Sequence, residues 1–503
     1  MRSKVAIKNI ISAMIGQIIT LICGFVIPRL IIENFGSSVN GLTSSIAQFL
    51  GYISLLESGI GPVIMSALYK PLAKKDNREI ANIIKSSQKF FRTIAYVFLI
   101  YLVVLCIIYP TVINNEFDKL FTISLILIIA ISTFAEYFLG MTYKLFLNAD
   151  QKGYIVSSIQ IITTILNAIF VVVLVKIGCS IQIVKLASVS IFALRPILQY
   201  IYIKKKYNIN LKEADSNYKL KQKLDGLAQH IASVVHSNTD VAVLTIFSNL
   251  KEVSVYSIYL LVVNGIKNLT LSLRNGIDAL FGDIIAKEEK ELLNKGFRIY
   301  ELFYFTIITI IFTCTLVLIV PFVSVYTRGI SDINYARPLF GFLIVLAEFV
   351  DCIRLPYGTL ISSAGKFKET RIGAWVEALL NLGVSIALVT KYGIVGVAIG
   401  TLLAMTIRTT EFIMFTSKNI LERNITESIK RIIIIILQVA FIYIIKFTIL
   451  DKFIVGTYLE WFLLAIATLL ITIVVVGLSN SIIYKDDLKE ALKIILKTKN
   501  KEE

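Results

Sequence analysis

The chain has almost no histidine: only His230 and His236 occur in 503 residues. That removes the commonest general base and metal ligand from most of its length. Its five cysteines, Cys23, Cys106, Cys179, Cys314 and Cys352, are scattered, with no Cys-x-x-Cys pair and no Cys/His cluster. Neither a zinc site nor a disulfide framework is supported. Charged residues make up only 17% of the chain, too few to clothe a sizeable water-soluble domain. No Gly-x-x-x-x-Gly-Lys-Ser/Thr loop is present, so the chain has no ATPase engine of that type. Gly-x-Ser-x-Gly and His-Glu-x-x-His signatures are missing too.

What fills the space is apolar. Hydrophobic residues are 56% of the chain and the mean hydropathy is +0.78. A hydrocarbon core about 30 Å thick needs about 20 helical residues per crossing. On that measure the sequence predicts an all-α polytopic membrane protein with about fourteen transmembrane helices. Six lie near 10–32, 41–66, 92–113, 119–147, 154–176 and 181–203. Six more lie near 225–248, 253–284, 298–323, 336–364, 371–391 and 393–416, and two near 430–450 and 458–484.

Lysine and arginine crowd into alternate loops: Lys70, Lys74, Lys75 and Arg78; Lys204, Lys205 and Lys206; Lys287, Lys290 and Lys295; Lys366, Lys368 and Arg371. This is the asymmetry that keeps cationic loops in the cytoplasm. It accounts for the net charge of +17 through anionic lipid headgroups and needs no nucleic-acid partner. The run 10–32 is too long for a signal-peptide core, so it is expected to be retained, with both termini cytoplasmic.

The basic connector 204–223 is the longest polar stretch and sets the expected division: residues 1–210 and 211–420 as two six-helix bundles, 421–503 as two extra helices and a basic tail. The halves echo one another. Asn148-Ala-Asp-Gln-Lys152 enters a span carrying Asn167, and Ser363-Ala-Gly-Lys-Phe-Lys368 enters one carrying Asn381. Six spans is an even number, so such repeats would share topology and be pseudo-symmetric about the membrane normal.

Ionisable residues within spans cost a few kcal/mol each on insertion scales and normally face a cavity or a partner. One expected span carries Asn264, Lys267, Asn268, Arg274, Asn275 and Asp278 at three- and four-residue steps, a single polar stripe. Glu348, Asp351 and Arg354 share a face of another, as do Arg408 and Glu411, and Ser233, His236 and Asp240. Glu57 lies in the second span, Arg29 ends the first, and Arg195 precedes Pro196 in the sixth. A guanidinium binds phosphate through paired hydrogen bonds and stays charged at any working pH. Arg29, Arg195, Lys267, Arg274, Arg354 and Arg408 are therefore candidates for holding an anionic, phosphate-bearing substrate. Glu57, Asp240, Asp278, Glu348 and Asp351 are candidates for charge pairing or for coupling to protons or sodium. No other cofactor and no metal is expected. Gly59-Ile-Gly-Pro62 and Arg354-Leu-Pro356 are expected to kink or break their helices.

Several short stretches carry a family likeness. Val39-Asn-Gly-Leu42, Leu56-Glu-Ser-Gly59, Val253-Ser-Val-Tyr-Ser257, Tyr326-Thr-Arg-Gly-Ile330, Asp332-Ile-Asn-Tyr335, Ala364-Gly-Lys-Phe-Lys-Glu-Thr370 and Gly396-Val-Ala-Ile-Gly-Thr401 resemble bacterial Wzx-type polysaccharide and O-antigen flippases. That family lies within the multidrug/oligosaccharidyl-lipid/polysaccharide exporter superfamily. The resemblance covers nearly the whole chain. It implies two six-helix bundles opening alternately to either side of the bacterial cytoplasmic membrane. It implies an undecaprenyl-diphosphate-linked oligosaccharide as substrate, with a polysaccharide polymerase complex as a further partner. It assigns no individual residue a role here. A cation-coupled drug antiporter of the same superfamily is the rival reading. A membrane glycan polymerase or ligase fits poorly, because the outer loops are short.

Overall fold

The computed structural model describes residues 2–57, 59–112, 116–207, 209–211, 214, 215, 227–272, 274, 277–366 and 368–491. Among them the chain is helical throughout, without strands. In a bilayer each backbone polar group must be satisfied within the protein, and a helix does this locally. The helices are α1 (Arg2–Phe35), α2 (Ser37–Gly51), α3 (Ile60–Lys74), α4 (Asn77–Val112), α5 (Lys119–Ala135), α6 (Met141–Ala149), α7 (Gly153–Lys176), α8 (Ile181–Lys206) and α9 (Leu227–Phe247). They continue as α10 (Leu250–Ser272), α11 (Ile277–Ala286), α12 (Lys290–Tyr326), α13 (Pro338–Ser363), α14 (Arg371–Tyr392), α15 (Ile394–Asn419), α16 (Thr426–Thr448) and α17 (Tyr458–Ile483).

Each of the fourteen expected spans falls on a helix or a helix pair. Among the described residues, ten stretches are long and apolar enough to cross a membrane, and a bent pair, Ser37–Leu56 with Ile60–Lys74, makes an eleventh. The rest of the expected spans, α9, α10 with α11, and α13, hold Asp240, Lys267, Arg274, Asp278, Glu348, Asp351 and Arg354. Each carries ionisable residues inside an otherwise apolar helix.

Three irregularities shape the helices. Gly59 has φ +74°, a left-handed conformation strained for any residue with a side chain. It follows the tight turn Tyr52–Leu56 and starts α3, and the chain bends there by 53°. A π-helical turn, Glu136–Gly140, joins α5 to α6. The expected single span 253–284 is divided into α10 and α11, with Arg274 in the break. At the other expected interruption, Arg354–Pro356, α13 runs on uninterrupted. Six residues before the proline, Thr409 Oγ1 of α15 donates to the Val350 carbonyl at 3.0 Å, tying the two helices together.

Contacts divide the chain into two units, Met1–Val255 and Tyr256–Glu503. In the first, α1 packs on α7, α7 on α8, and α5 on α8. α9 also belongs to it: Ser45 and Thr245 share a 2.6 Å hydrogen bond, and Tyr52 donates to the Asn238 carbonyl at 3.1 Å. Gly41 permits close approach of the start of α10, because a β-carbon there would lie 1.7 Å from the Leu250 carbonyl oxygen.

In the second unit, α13, α14 and α15 pack closely, and α12 packs on α17. Lipid tails are as apolar as leucine, so buried polarity rather than greasiness selects helix neighbours. α17 follows that rule. Thr468, Thr472 and Asn480 are buried while Leu463, Leu470 and Leu478 are exposed. Asn480 donates to Thr306 Oγ1 of α12 at 2.8 Å and accepts from Gln438 of α16 at 2.9 Å. Asn167 and Asn381, matched in the sequence repeat, are both buried.

Candidate functional site

The second unit gathers most of the charges singled out in the sequence. Lys267 Nζ of α10 lies 2.8 Å from Glu348 and 2.6 Å from Asp351, both on α13. Asp351 also pairs with Arg354, one turn along. Arg354 Nη1 reaches Glu377 of α14 at 2.9 Å. Glu377 faces Arg408 of α15 at 3.5 Å, and Arg408 pairs with Glu411 at 2.5 Å. Arg408 also donates to the Thr370 carbonyl at 2.7 Å and lies 4.4 Å over the Phe412 ring. Four helices are thereby joined by seven charged side chains. Three cations (Lys267, Arg354, Arg408) meet four carboxylates (Glu348, Asp351, Glu377, Glu411), a formal balance of one negative charge. Each acid is bonded to a cation, as buried ionic groups require.

Arg274, in the break between α10 and α11, binds Asp278 through Nε at 3.0 Å and Nη2 at 2.9 Å. Ser362 of α13 joins both, accepting from Arg274 and donating to Asp278. This pair is half-exposed, unlike the deeper network. Of the stripe expected on this segment, Asn264 and Asn268 are exposed. Asn275 and the side chains of Ser233 and His236 lie outside the described residues.

The other candidates belong to the first unit. Arg29 Nε faces Glu33 at 3.7 Å on α1. Glu57, at the bend before α3, accepts from the Tyr137 hydroxyl at 3.3 Å. Asp240 is buried on α9. Arg195 of α8 donates to Thr163 Oγ1 at 2.8 Å and Thr164 Oγ1 at 3.0 Å, both on α7.

Sequence reasoning missed a second ionic cluster and one member of the first. Glu377 is a carboxylate within an apolar run, a signal that was there to be read. Glu301 of α12 is fully buried and is bonded to Arg423 at 3.0 Å, Arg431 at 3.5 Å and the Tyr357 hydroxyl. Arg431 continues to Asp487 at 2.9 Å, and Arg298 reaches Asp487 and Glu490 at 2.9 and 2.7 Å. These groups come from span ends and loops, where charge carries no warning.

No protein-family model matches the sequence, and no curated protein matches it. Solved structures do match. The lipid II flippase MurJ, in an inward closed conformation, superposes with a TM-score of 0.71 at 18% identity, over 95% of this chain and 99% of that one. The MATE multidrug transporter DinF-BH gives 0.58 at 13%, over 83% of this chain and 95% of that one. An inward-facing multidrug resistance MATE family transporter of the MOP superfamily gives 0.53 at 13%, over 82% and 97%. At these identities the likeness is one of fold: this chain shares the all-helical, multi-pass membrane architecture of the MurJ flippase and the MATE transporters.

Proposed function

We propose that this protein carries a lipid-linked, phosphate-bearing oligosaccharide across the bacterial cytoplasmic membrane by alternating access, for surface polysaccharide assembly. The observation that supports this most is the superposition on a lipid II flippase over 95% of the chain, against 82 and 83% for the MATE transporters. In this reading undecaprenyl diphosphate bears the glycan, both termini are cytoplasmic, and a polysaccharide polymerase complex receives the product. Arg29 and Arg274 are the proposed phosphate contacts, since each sits in a partly exposed pair rather than a sealed one. Lys267, Arg354 and Arg408 reach an anion only by releasing a carboxylate, so their network is proposed to change partners during transport. Glu57, Asp240, Glu348 and Asp351 are the proposed sites of coupling to protons or sodium.

One observation favours the rival, a cation-coupled drug antiporter: the network of the second unit carries one more carboxylate than cation. Transbilayer movement of a labelled undecaprenyl-diphosphate oligosaccharide in proteoliposomes separates the two. Movement above protein-free vesicles, reduced in Arg274→Ala, supports the flippase. Cation efflux without glycan movement sinks it.

A further inference from the structure

The candidate cations differ in one respect. Arg29, Lys267, Arg274, Arg354 and Arg408 each have a carboxylate within 4.0 Å. Arg195 has none among the described residues; its bonds are to the hydroxyls of Thr163 and Thr164. They use Nε and Nη2, which leaves the two Nη1 hydrogens without an acceptor among the described residues. The guanidinium lies over Phe192, 4.2 Å from its centroid, so its direction is fixed. Its hydrogen bonds go to neutral groups, and the one carboxylate lining the same cavity, Glu136, is paired with Lys144, so the guanidinium is placed to take an anion that arrives from outside the fold.

Arg195 lines a cavity of about 170 Å³ in the first unit, between the π-helical turn at 136–140, α7 and α8. Gln160, Gln199 and Thr133 add neutral polar groups, and the Glu136–Lys144 pair, 3.2 Å apart, sits at its edge. Gln199 is 5% exposed, and its buried side-chain oxygen has no hydrogen-bond partner. Such an orphan normally marks a missing partner. Rotation of the amide would turn its NH₂ inward instead, so the same side chain serves a ligand hydroxyl or an oxyanion. Gly140 lets α8 close the cavity floor, since a β-carbon there would fall 2.9 Å from Pro196 Cβ. Beside these polar groups the lining is apolar: Val156, Phe192 and Pro196 complete the wall. The cavity therefore suits a molecule with an oxyanion at one end and hydrocarbon at the other.

We infer that this cavity is a binding site for a lipid-borne phosphate, held by Arg195 and Gln199. Two lipids carry that chemistry, an anionic phospholipid and a polyprenyl phosphate. The site does not depend on the transport reading, because binding is measured directly.

Native mass spectrometry of the full-length protein tests it, titrating phosphatidylglycerol, a long-chain polyprenyl phosphate and, as the phosphate-free control, diacylglycerol. Arg195→Gln should weaken the phosphate lipids about tenfold, the scale of one lost charge-assisted contact, and leave diacylglycerol unchanged. Gln199→Leu keeps the Arg195–threonine bonds, so it reports on the site if Arg195→Gln folds poorly; it should weaken the same lipids by a smaller factor. Tighter retention of polyprenyl phosphate than phosphatidylglycerol would name the first as the natural occupant, and the reverse order the second. Equal affinities in wild type and both variants, or equal losses for diacylglycerol, would overturn the assignment.

Discussion

Lys267 lies within 2.8 Å of two carboxylates of α13, Glu348 and Asp351, so one cation on α10 answers two acids a turn apart. Asp351 is shared onward with Arg354. The cluster is held by shared partners, and its members are not independent.

Replacing Lys267 with Met should cost about 3–5 kcal/mol, because buried Glu348 loses its cation and Asp351 loses one of its two. Adding Asp351→Asn should recover part of that loss, since fewer uncompensated charges remain. Thermal unfolding of the single and double variants in detergent checks this. A double variant less stable than the single one contradicts the account.

Gly373 of α14 lies against the Glu411 carboxylate; a β-carbon added there would fall only 1.7 Å from Oε2. Gly373→Ala should push Glu411 off Arg408 and lower stability by more than Glu411→Gln does. Overpacking costs about 1–3 kcal/mol where a neighbour cannot move away, and Glu411 is held by Arg408 at 2.5 Å. Comparing the melting temperatures of the two variants decides it.

Glu301→Gln should destabilise more than any single change on the rim of its cluster. It leaves Arg423 and Arg431 facing a neutral amide. The loss should be about 3–5 kcal/mol, whereas Glu427→Gln, at an exposed pair with Arg423, should cost under about 1 kcal/mol. Chemical denaturation followed by tryptophan fluorescence would rank them.

Tyr207, just beyond α8, donates to Asp150 and accepts from Lys152 Nζ at 2.7 Å. Burial and then the Asp150 carboxylate hold its phenol well above the ordinary tyrosine range. The folded state keeps a proton that the unfolded chain gives up. The stabilisation is whole below the unfolded pKa of about 10 and declines as pH rises above it. Tyr207→Phe should therefore lose less stability than wild type between about pH 9 and 11. Parallel slopes in melting temperature against pH would rule that out.

Much of the fold could be read from the chain, because runs of apolar residues admit only helices in a bilayer. The division of α10 from α11 was signalled only by the turn dipeptide Asn275-Gly276, which the polar stripe running from Asn264 to Asp278 overrode. Pairs within one helix or across one turn, Arg408–Glu411 and Arg274–Asp278, follow from their spacing. Pairs between helices do not, since sequence gives each face but not the face it meets. Lys267 finds Glu348 across 81 residues. That Arg195 has no ion-pair partner among the described residues was half visible, since neither α7 nor α8 contains an acidic residue; that Glu136 of the π-helical turn pairs with Lys144 instead is a matter of packing.

The Lys267 pairing also constrains how the chain is made. Both α10 and α13 carry charge inside an otherwise apolar helix. A nascent α10 therefore meets the bilayer with an unanswered ammonium until the acids of α13 are synthesised, 81 residues later. At about 5–20 residues per second that interval is about 4–16 s. Through it the half-made protein must be sheltered by the insertion machinery or by its own earlier helices, so the order of synthesis is itself part of what allows this charge cluster to exist.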